Sequence, residues 1–284
     1  MKEFFPMRHL IRSVILVPLL VLAACGSTSA GNGTGAVTLN VFAAASLQTA
    51  FTELGTDFQQ THAGVTVTFN FAGSQQLAQQ LTQGAPADVF ASANKMQMQG
   101  AIQGGDVADG SQQTFVKNRL IVITPTNNPA GLHTLQDLAK PGLKLVLADK
   151  TVPVGQYALT FLQIASTAAT FGTSYQANVL KNVVSYEQDV KSVFIKVQLG
   201  EADAGIVYTS DVATNGSEVG EIVIPDALNV IATYPIAPVK SSSHTALANA
   251  FITLVLSPQG QAVLAKYGFI AVNAAALVSV PTVA

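Results

Sequence analysis

The sequence contains the same local unit twice: an apolar strand, a turn of small residues, a serine and an amphipathic helix. The first unit leads from a strand at residues 37–42 to Ser46 and a helix at residues 47–61. The second leads from a strand at residues 65–71 to Ser74 and another helix. After each serine, the spacing of apolar residues changes from the strand period to the helix period. The repeat predicts two helix N-termini at the same end of a parallel sheet.

Each serine is expected to be the N-cap of its helix, next to backbone N–H groups that have no partner inside the helix. The small residues before Ser46 would let a ligand approach the backbone closely. Helix N-termini bind anions because their N–H groups and the helix dipole both favour negative charge. Considered alone, Ser46 is equally well explained as a plain helix cap, so the prediction of an anion site depends on the repeat.

The rest of the chain continues to alternate strands and helices, which is typical of an α/β protein. We expect two lobes built on mainly parallel sheets flanked by helices, with a polar crossing at residues 125–129. The first lobe would comprise residues 37–122 and 235–275, the second residues 125–230, and the tail residues 276–284. Two crossings would form a hinge, and the ligand would bind in the cleft beyond the carboxyl ends of the strands.

The N-terminal segment has the features of a bacterial lipoprotein signal. Basic residues precede an apolar run at residues 14–24, which is too short to span a bilayer and ends in Leu-Ala-Ala-Cys at Cys25. We expect residues 1–25 to be a signal peptide whose cysteine is lipidated, and the Gly/Ser/Thr-rich residues 26–36 to be a flexible tether. The alternative is an ordinary signal peptide followed by a buried free thiol.

Composition and motifs narrow the possible functions. The formal net charge is −2 and the sequence has no basic run, which argues against a nucleic-acid partner. It has no G-x-S-x-G, P-loop, H-E-x-x-H or C-x-x-C motif, and its histidines are scattered. Asp149, Glu187 and Asp189 are either helix-start residues or oxygen ligands of a metal ion, and the first reading is preferred. Without an evident acid–base pair, the sequence favours binding over catalysis, and we predict that the chain is not an enzyme.

Seven short motifs, taken in order, resemble those of the molybdate-binding proteins of ABC uptake systems, a class of two-lobed solute-binding proteins. The first two are Ala-Ala-Ala-Ser-Leu and Phe-Ala-Gly-Ser, and together the seven extend over most of the chain. They lie at residues 43–47, 71–74, 84–90, 152–158, 187–190, 205–211 and 266–269. The resemblance implies a periplasmic-binding-protein-like fold with the ligand in the interlobe cleft.

The resemblance also implies how the ligand is held: a tetrahedral oxyanion accepts hydrogen bonds from hydroxyl and backbone N–H groups. By position, the hydroxyls belong to Ser46, Ser74 and Tyr208. The backbone donors include Ser46, Ser74, Val154 and Val190. No cofactor and no side-chain metal ligand is implied, because molybdenum would be bound as molybdate.

Two positions depart from the family pattern. Gly73 stands where the family often has serine, and Val154 stands where it often has alanine. Val154 would act through its N–H group, so the departure keeps the donor, although the larger side chain would narrow the pocket.

Together with the lipoprotein signal at Cys25, the resemblance implies an extracytoplasmic, lipid-anchored monomer that captures molybdate or tungstate and delivers it to the membrane permease of an ABC transporter. The sequence does not rank the two ions, which are nearly equal in size and charge. Two alternatives remain open. One is the same fold binding another ligand, such as sulfate or an iron complex, and the other is a secreted small-molecule hydrolase.

Replacing the predicted lipidation site tests the N-terminal assignment. We expect Cys25→Ser to release the protein from the membrane fraction or to mislocalise it, because serine cannot carry the thioether-linked lipid. Fractionation of cells followed by immunoblotting measures this. A variant that still fractionates with the membrane would contradict the assignment.

Overall fold

Two β-sheets covered by helices form the part of the chain that the computed structural model describes, residues 36–272. The predicted signal peptide with Cys25, the tether except its last residue, and the tail lie outside the described residues. The described residues belong to one compact unit.

The first sheet has the strand order β11-β4-β10-β3-β1-β2. β1 pairs in parallel with β2 and β3, whereas β10 and β11 pair antiparallel to their neighbours. Its strands are β1 Val37–Ala44, β2 Val65–Ala72, β3 Val89–Ala91, β4 Gln113–Asn118, β10 Ala232–Pro238 and β11 Ile270–Ala271. Its helices are α1 Gln48–Thr61, α2 Ser74–Thr82, α3 Lys95–Gln103, α8 Thr245–Leu256 and α9 Pro258–Lys266.

The second sheet has the strand order β7-β6-β8-β5-β9. β6 pairs in parallel with β7 and β8, and β5 pairs antiparallel with β8 and β9. Its strands are β5 Leu120–Pro125, β6 Leu145–Ala148, β7 Val183–Glu187, β8 Ala204–Tyr208 and β9 Val219–Val223. Its helices are α4 Pro153–Thr167, α5 Tyr175–Lys181, α6 Val190–Gln198 and α7 Thr209–Asn215.

The α/β, two-sheet architecture agrees with the prediction, but the expectation of mainly parallel sheets is wrong. Both sheets are mixed: three neighbouring strands of each pair in parallel, and the remaining pairings are antiparallel. β4 and β5 follow one another with only Arg119 between them, so the chain passes directly from the first sheet into the second.

The first crossing between the sheets lies earlier in the chain than the expected residues 125–129. The sequence placed residues 120–122 in the first lobe, but the strand they begin pairs with β8 and β9 of the second sheet. The return crossing precedes Ala232, the first residue of β10, which lies between the expected lobe limits at residues 230 and 235. Asn229 braces the two crossings, because its side chain accepts from Leu120 N at 3.0 Å and donates to Leu120 O at 2.9 Å.

Aromatic side chains fill the core on one face of the first sheet. Phe51 of α1 lies with its ring centroid 5.7 Å from that of Phe115 and 5.9 Å from that of Phe251, in tilted and edge-on arrangements. These rings are fully buried and fix α1 and α8 against the strands.

Within residues 36–272, no single helix is long and apolar enough to cross a membrane. α8 and α9 meet that criterion only as a pair, with a bend of 62° between them. Their buried residues, which include Phe251 and Leu264, belong to the core.

The start of α4 lies very close to the end of β6. Gly155, the third residue of α4, is buried, and a Cβ atom there would overlap the carbonyl oxygens of Ala148 and Asp149. Glycine therefore lets the first turn of α4 approach the carboxyl end of the sheet. Gly100 of α3 is a useful contrast, because it is exposed and a Cβ atom there would meet nothing within 4 Å.

We expect Gly155→Ala to lower the free energy of unfolding by about 1–3 kcal/mol, since the backbone must shift to accept the methyl group. Gly100→Ala is the matched control and should raise stability by about 0.5–1 kcal/mol, because alanine is the better helix residue. Urea denaturation followed by circular dichroism measures both. Equal effects of the two substitutions would contradict the close approach of α4.

Candidate functional site

A small cavity lies where the carboxyl ends of the parallel strands of the two sheets face each other. The space not filled by atoms, counting the part that opens to solvent, is about 210 Å³. Every residue predicted from the sequence to hold the ligand is among those that line it. The lining residues are Ala44, Ala45, Ser46, Ala72, Gly73, Ser74, Ala93, Val152, Pro153, Val154, Asp189, Val190 and Tyr208.

Each lining segment follows one parallel strand. In the first sheet, Ser46 follows β1, Ser74 follows β2 and Ala93 follows β3. In the second sheet, the start of α4 follows β6, the start of α6 follows β7, and Tyr208 is the last residue of β8. The parallel half of each mixed sheet therefore supplies the cavity, which is the usual place for a ligand in open α/β sheets.

Four helical segments begin at the cavity, and three of them have no side-chain cap. The 3₁₀ turn Ala45–Leu47, which leads into α1, begins after Ala44. Helix α2 begins after Gly73, and helix α4 begins after Val152. None of these three preceding residues makes a side-chain cap hydrogen bond. The first N–H groups of a helix have no partner within it, and leaving them unpaired in a buried place is costly. The cavity is therefore surrounded by backbone donors that an acceptor from outside would satisfy.

The fourth segment, α6, is capped by Asp189, whose carboxylate accepts from Ser192 N at 2.9 Å. Asp189 is thus a helix-start residue, the reading that the sequence preferred. The Val190 N–H group, two positions before Ser192, has no partner within the helix, and Val190 lines the cavity.

The prediction that Ser46 and Ser74 are N-caps is wrong, because each helical segment begins before its serine. Ser46 is the second residue of the 3₁₀ turn, and its Oγ lies 3.0 Å from Tyr234 Oη. Ser74 is the first residue of α2, and its Oγ accepts from Ala93 N at 2.9 Å. Because that hydroxyl already accepts a bond on its inner side, its own proton remains available to an acceptor in the cavity.

Tyr208 presents a hydroxyl that the fold does not use. Its side chain is 1% exposed, and Tyr208 Oη has no hydrogen-bond partner among the described residues. Burial raises the pKa of this phenol well above its usual value, and the nearby Tyr234 hydroxyl adds to the shift. Tyr208 therefore stays protonated near neutral pH and can donate a hydrogen bond into the cavity.

The cavity has donors but no positive side chain. Among the described residues that line it there is no lysine, arginine or histidine, and Asp189 is the one ionisable residue besides Tyr208. Lys191 lies nearby, but its Nζ pairs with Asp211 Oδ1 at 3.1 Å. Burial raises the pKa of Asp211, and Lys191 opposes that shift. Asp211 Oδ2 also accepts from Tyr208 N at 3.1 Å, which fixes the end of β8.

The other carboxylates considered from the sequence have structural partners. Asp149 accepts from Thr151 Oγ1 and Thr151 N, and these bonds lower its pKa. Glu187 pairs with Lys196 Nζ at 2.6 Å. Within residues 36–272, no three His, Cys, Asp or Glu side chains are grouped as metal ligands. The described site therefore gives the metal-ligand alternative no support.

Gly73 lies where the turn before α2 contacts the turn before α6. A Cβ atom on Gly73 would overlap the carbonyl oxygen of Gln188, which belongs to the turn before α6. The neighbouring Gln75 Nε2 donates to the same carbonyl oxygen at 2.9 Å. Glycine therefore permits the close contact across the cleft, which a serine at this position would prevent in the present arrangement.

Sequence reasoning missed two residues of the site, Ala93 and Tyr234. The N–H group of Ala93 orients Ser74, and the hydroxyl of Tyr234 contacts Ser46. The available signal was the position of Tyr234 inside a mainly apolar stretch, since a buried tyrosine usually pairs its hydroxyl.

Comparisons with known proteins agree on one family. Residues 39–270 match the family model described as bacterial extracellular solute-binding protein. The chain is 40% identical over 253 residues to the molybdate-binding protein ModA of Mycobacterium tuberculosis strain H37Rv, an alignment that covers 87% of this chain and 92% of that protein.

Solved structures share the fold. The periplasmic molybdate-binding protein of Azotobacter vinelandii superimposes with a TM-score of 0.70 at 19% identity, covering 82% of this chain and 98% of that one. The sulfate-binding protein SubI of Mycobacterium tuberculosis H37Rv gives a TM-score of 0.75 at 19% identity, covering 86% and 92%. At these identities the likeness concerns the fold alone, and it includes binders of different oxyanions.

The unpaired hydroxyl of Tyr208 leads to a stability prediction that needs no ligand. We expect Tyr208→Phe to leave the free energy of unfolding unchanged or to raise it by about 1 kcal/mol, because a buried hydroxyl without a partner is removed. Tyr175→Phe is the matched control and should lower it by about 1 kcal/mol, since Tyr175 Oη donates to Leu135 O. Urea denaturation without added oxyanion measures both, and a clear loss of stability in Tyr208→Phe would contradict the unpaired hydroxyl.

Proposed function

Because the chain belongs to the bacterial extracellular solute-binding proteins, we propose that it captures molybdate or tungstate outside the cytoplasm for uptake by an ABC transporter. The observation that carries the proposal is the cavity at which four helical segments begin with no positive side chain in its lining. The 40% identity to a ModA protein over most of both chains supports this ligand class.

We infer that Ser46, Ser74, Val154, Val190 and Tyr208 hold the oxyanion. All five line the cavity, and they supply hydroxyl protons and helix-start N–H groups. Each hydrogen bond to a charged acceptor contributes roughly 1.5–3 kcal/mol, and helix dipoles favour the same charge. Several such bonds can hold a dianion without a counter-charge, as helix N-termini do for phosphate and sulfate groups.

The same donors give a reason for selectivity. Hydrogen phosphate carries a proton and needs an acceptor, whereas the cavity offers mainly donors. Sulfate has the right charge but shorter bonds, so it reaches fewer donors at once than molybdate does. Sulfate remains the second candidate, because a sulfate-binding protein shares this fold with a TM-score of 0.75.

We further propose that the two sheets form lobes that close on the ligand. Ser46 and Ser74 follow strands of the first sheet, and Val154, Val190 and Tyr208 belong to the second. The hinge would lie at Arg119 and at the return crossing before β10, which are the two connections between the sheets. The contact between Gln75 and Gln188 would form on closing.

The remaining expectations concern the context of the protein. We propose a lipid anchor on Cys25, a monomeric state, and delivery of the ion to a membrane permease. We also propose that the protein catalyses no reaction, since the site combines donors without an acid–base pair or a nucleophile beside a base.

Calorimetry with a panel of oxyanions tests the function. We expect one molybdate or tungstate ion to bind per chain, with sulfate weaker and phosphate weaker still. Tyr208→Phe should weaken molybdate binding about ten- to hundred-fold, because one donor to a charged acceptor is lost. Tyr175→Phe, which lies outside the cavity, should bind like the parent. Sulfate binding as tightly as molybdate would overturn the selectivity, and unchanged binding by Tyr208→Phe would remove Tyr208 from the site.

A further inference from the structure

Behind the cavity, three polar side chains form a buried chain of hydrogen bonds: Asn118, Tyr234 and Ser46. Tyr234 Oη lies 3.0 Å from Ser46 Oγ and accepts from Asn118 Nδ2 over a long contact of 3.4 Å. All three residues are buried, and the Tyr234 and Asn118 side chains are closed to solvent. Tyr234 itself does not line the cavity, and Ser46 is the lining residue within hydrogen-bond distance of its hydroxyl.

The orientation of the Asn118 amide is fixed by its other partners. Asn118 Oδ1 accepts from Arg119 N at 2.9 Å and from Thr209 Oγ1 at 3.0 Å. A backbone N–H group can only donate, so this atom must be the oxygen. The amide nitrogen therefore faces Tyr234, and it also donates to Ser210 Oγ at 2.8 Å.

The protons available on Asn118 and Tyr234 then determine which group donates in the bond between Tyr234 and Ser46. Because Asn118 Nδ2 can only donate, the Tyr234 oxygen accepts from it, and the single Tyr234 proton must go elsewhere. Among the described residues, Ser46 Oγ is the acceptor within hydrogen-bond distance. If Ser46 donated instead, the Tyr234 proton would be left unpaired in a buried place, which costs free energy.

We propose that Tyr234 is a positioning residue that holds Ser46 as a hydrogen-bond donor to the cavity, so that the site selects oxyanions without protons. Tyr234 donates to Ser46 Oγ, and the Ser46 proton is then directed to the ligand. Asn118 donates to the Tyr234 oxygen, which leaves the Tyr234 proton for Ser46. A protonated oxyanion that turned its hydroxyl toward Ser46 would meet a second proton, whereas molybdate presents an acceptor there. This inference rests on the proposed function.

Tyr234→Phe removes the hydroxyl but keeps the ring, which packs edge-on against Phe115 and Phe269. Without its partner, the Ser46 hydroxyl is free to rotate and to accept a bond. We expect molybdate affinity to fall about tenfold, which corresponds to one hydrogen bond of ordinary strength. Phosphate affinity should fall less or rise, so the molybdate-to-phosphate ratio narrows.

A double-mutant cycle with Ser46→Ala separates positioning from general structural support. If Tyr234 acts only through Ser46, the double variant Ser46→Ala with Tyr234→Phe should bind molybdate no more weakly than Ser46→Ala alone. Tyr175→Phe is the control for loss of a buried tyrosine hydroxyl, and its effect should be additive and near zero. Circular dichroism of each variant confirms that it is folded.

The outcomes distinguish the two proposals. Additive losses in the cycle, or an unchanged molybdate-to-phosphate ratio in Tyr234→Phe, would overturn the role of Tyr234 while molybdate binding by the parent stands. Binding of sulfate but not molybdate by the parent would overturn the proposed ligand, and the same cycle run with sulfate would then decide the role of Tyr234. A parent that binds neither ion would overturn both.

Discussion

The cost of leaving backbone N–H groups unpaired in a buried place is the constraint on which this structure depends. A helix always begins with N–H groups that it cannot satisfy itself, and most proteins cap them with a side chain or expose them to water. Here the segments that begin after β1, β2 and β6 lack such a cap and line one small cavity. The fold therefore leaves these N–H groups without acceptors, and an anionic ligand can supply them.

Other features of the fold serve this arrangement. Each mixed sheet keeps three strands parallel, which brings their carboxyl ends to the cavity. Gly155 lets α4 start against the end of β6, and Gly73 lets the two sheets' segments meet without a clash. Tyr208 is buried, and its hydroxyl has no partner among the described residues, so the proposed ligand would supply one. Binding energy would thus come from groups that do not stabilise the empty protein, a common trade between stability and function.

Much of this was predictable from the sequence, because local patterns carry it. The repeated strand–serine–helix unit located Ser46 and Ser74 at the carboxyl ends of parallel strands, and the family resemblance located Val154, Val190 and Tyr208. The exact start of each helix was not predictable, so the serines were wrongly expected to be caps. The strand at Leu120–Pro125 was divided between the two expected lobes, although all of it belongs to the second sheet, because its apolar sequence fits either sheet. Tyr234 contacts Ser46 across 188 residues, a pairing that no local pattern indicates.

The central claim, that helix-start N–H groups hold the anion, is tested most directly by nuclear magnetic resonance of the ¹⁵N-labelled protein. On titration with molybdate, the amide protons of Ser46, Ser74, Val154 and Val190 should shift downfield together and saturate at one ion per chain. The start of α9 is the internal control, because Ser257 caps it and it lies outside the cavity. Its amide signals should stay in place. Saturable binding of molybdate without movement of the four cavity amides would contradict the account.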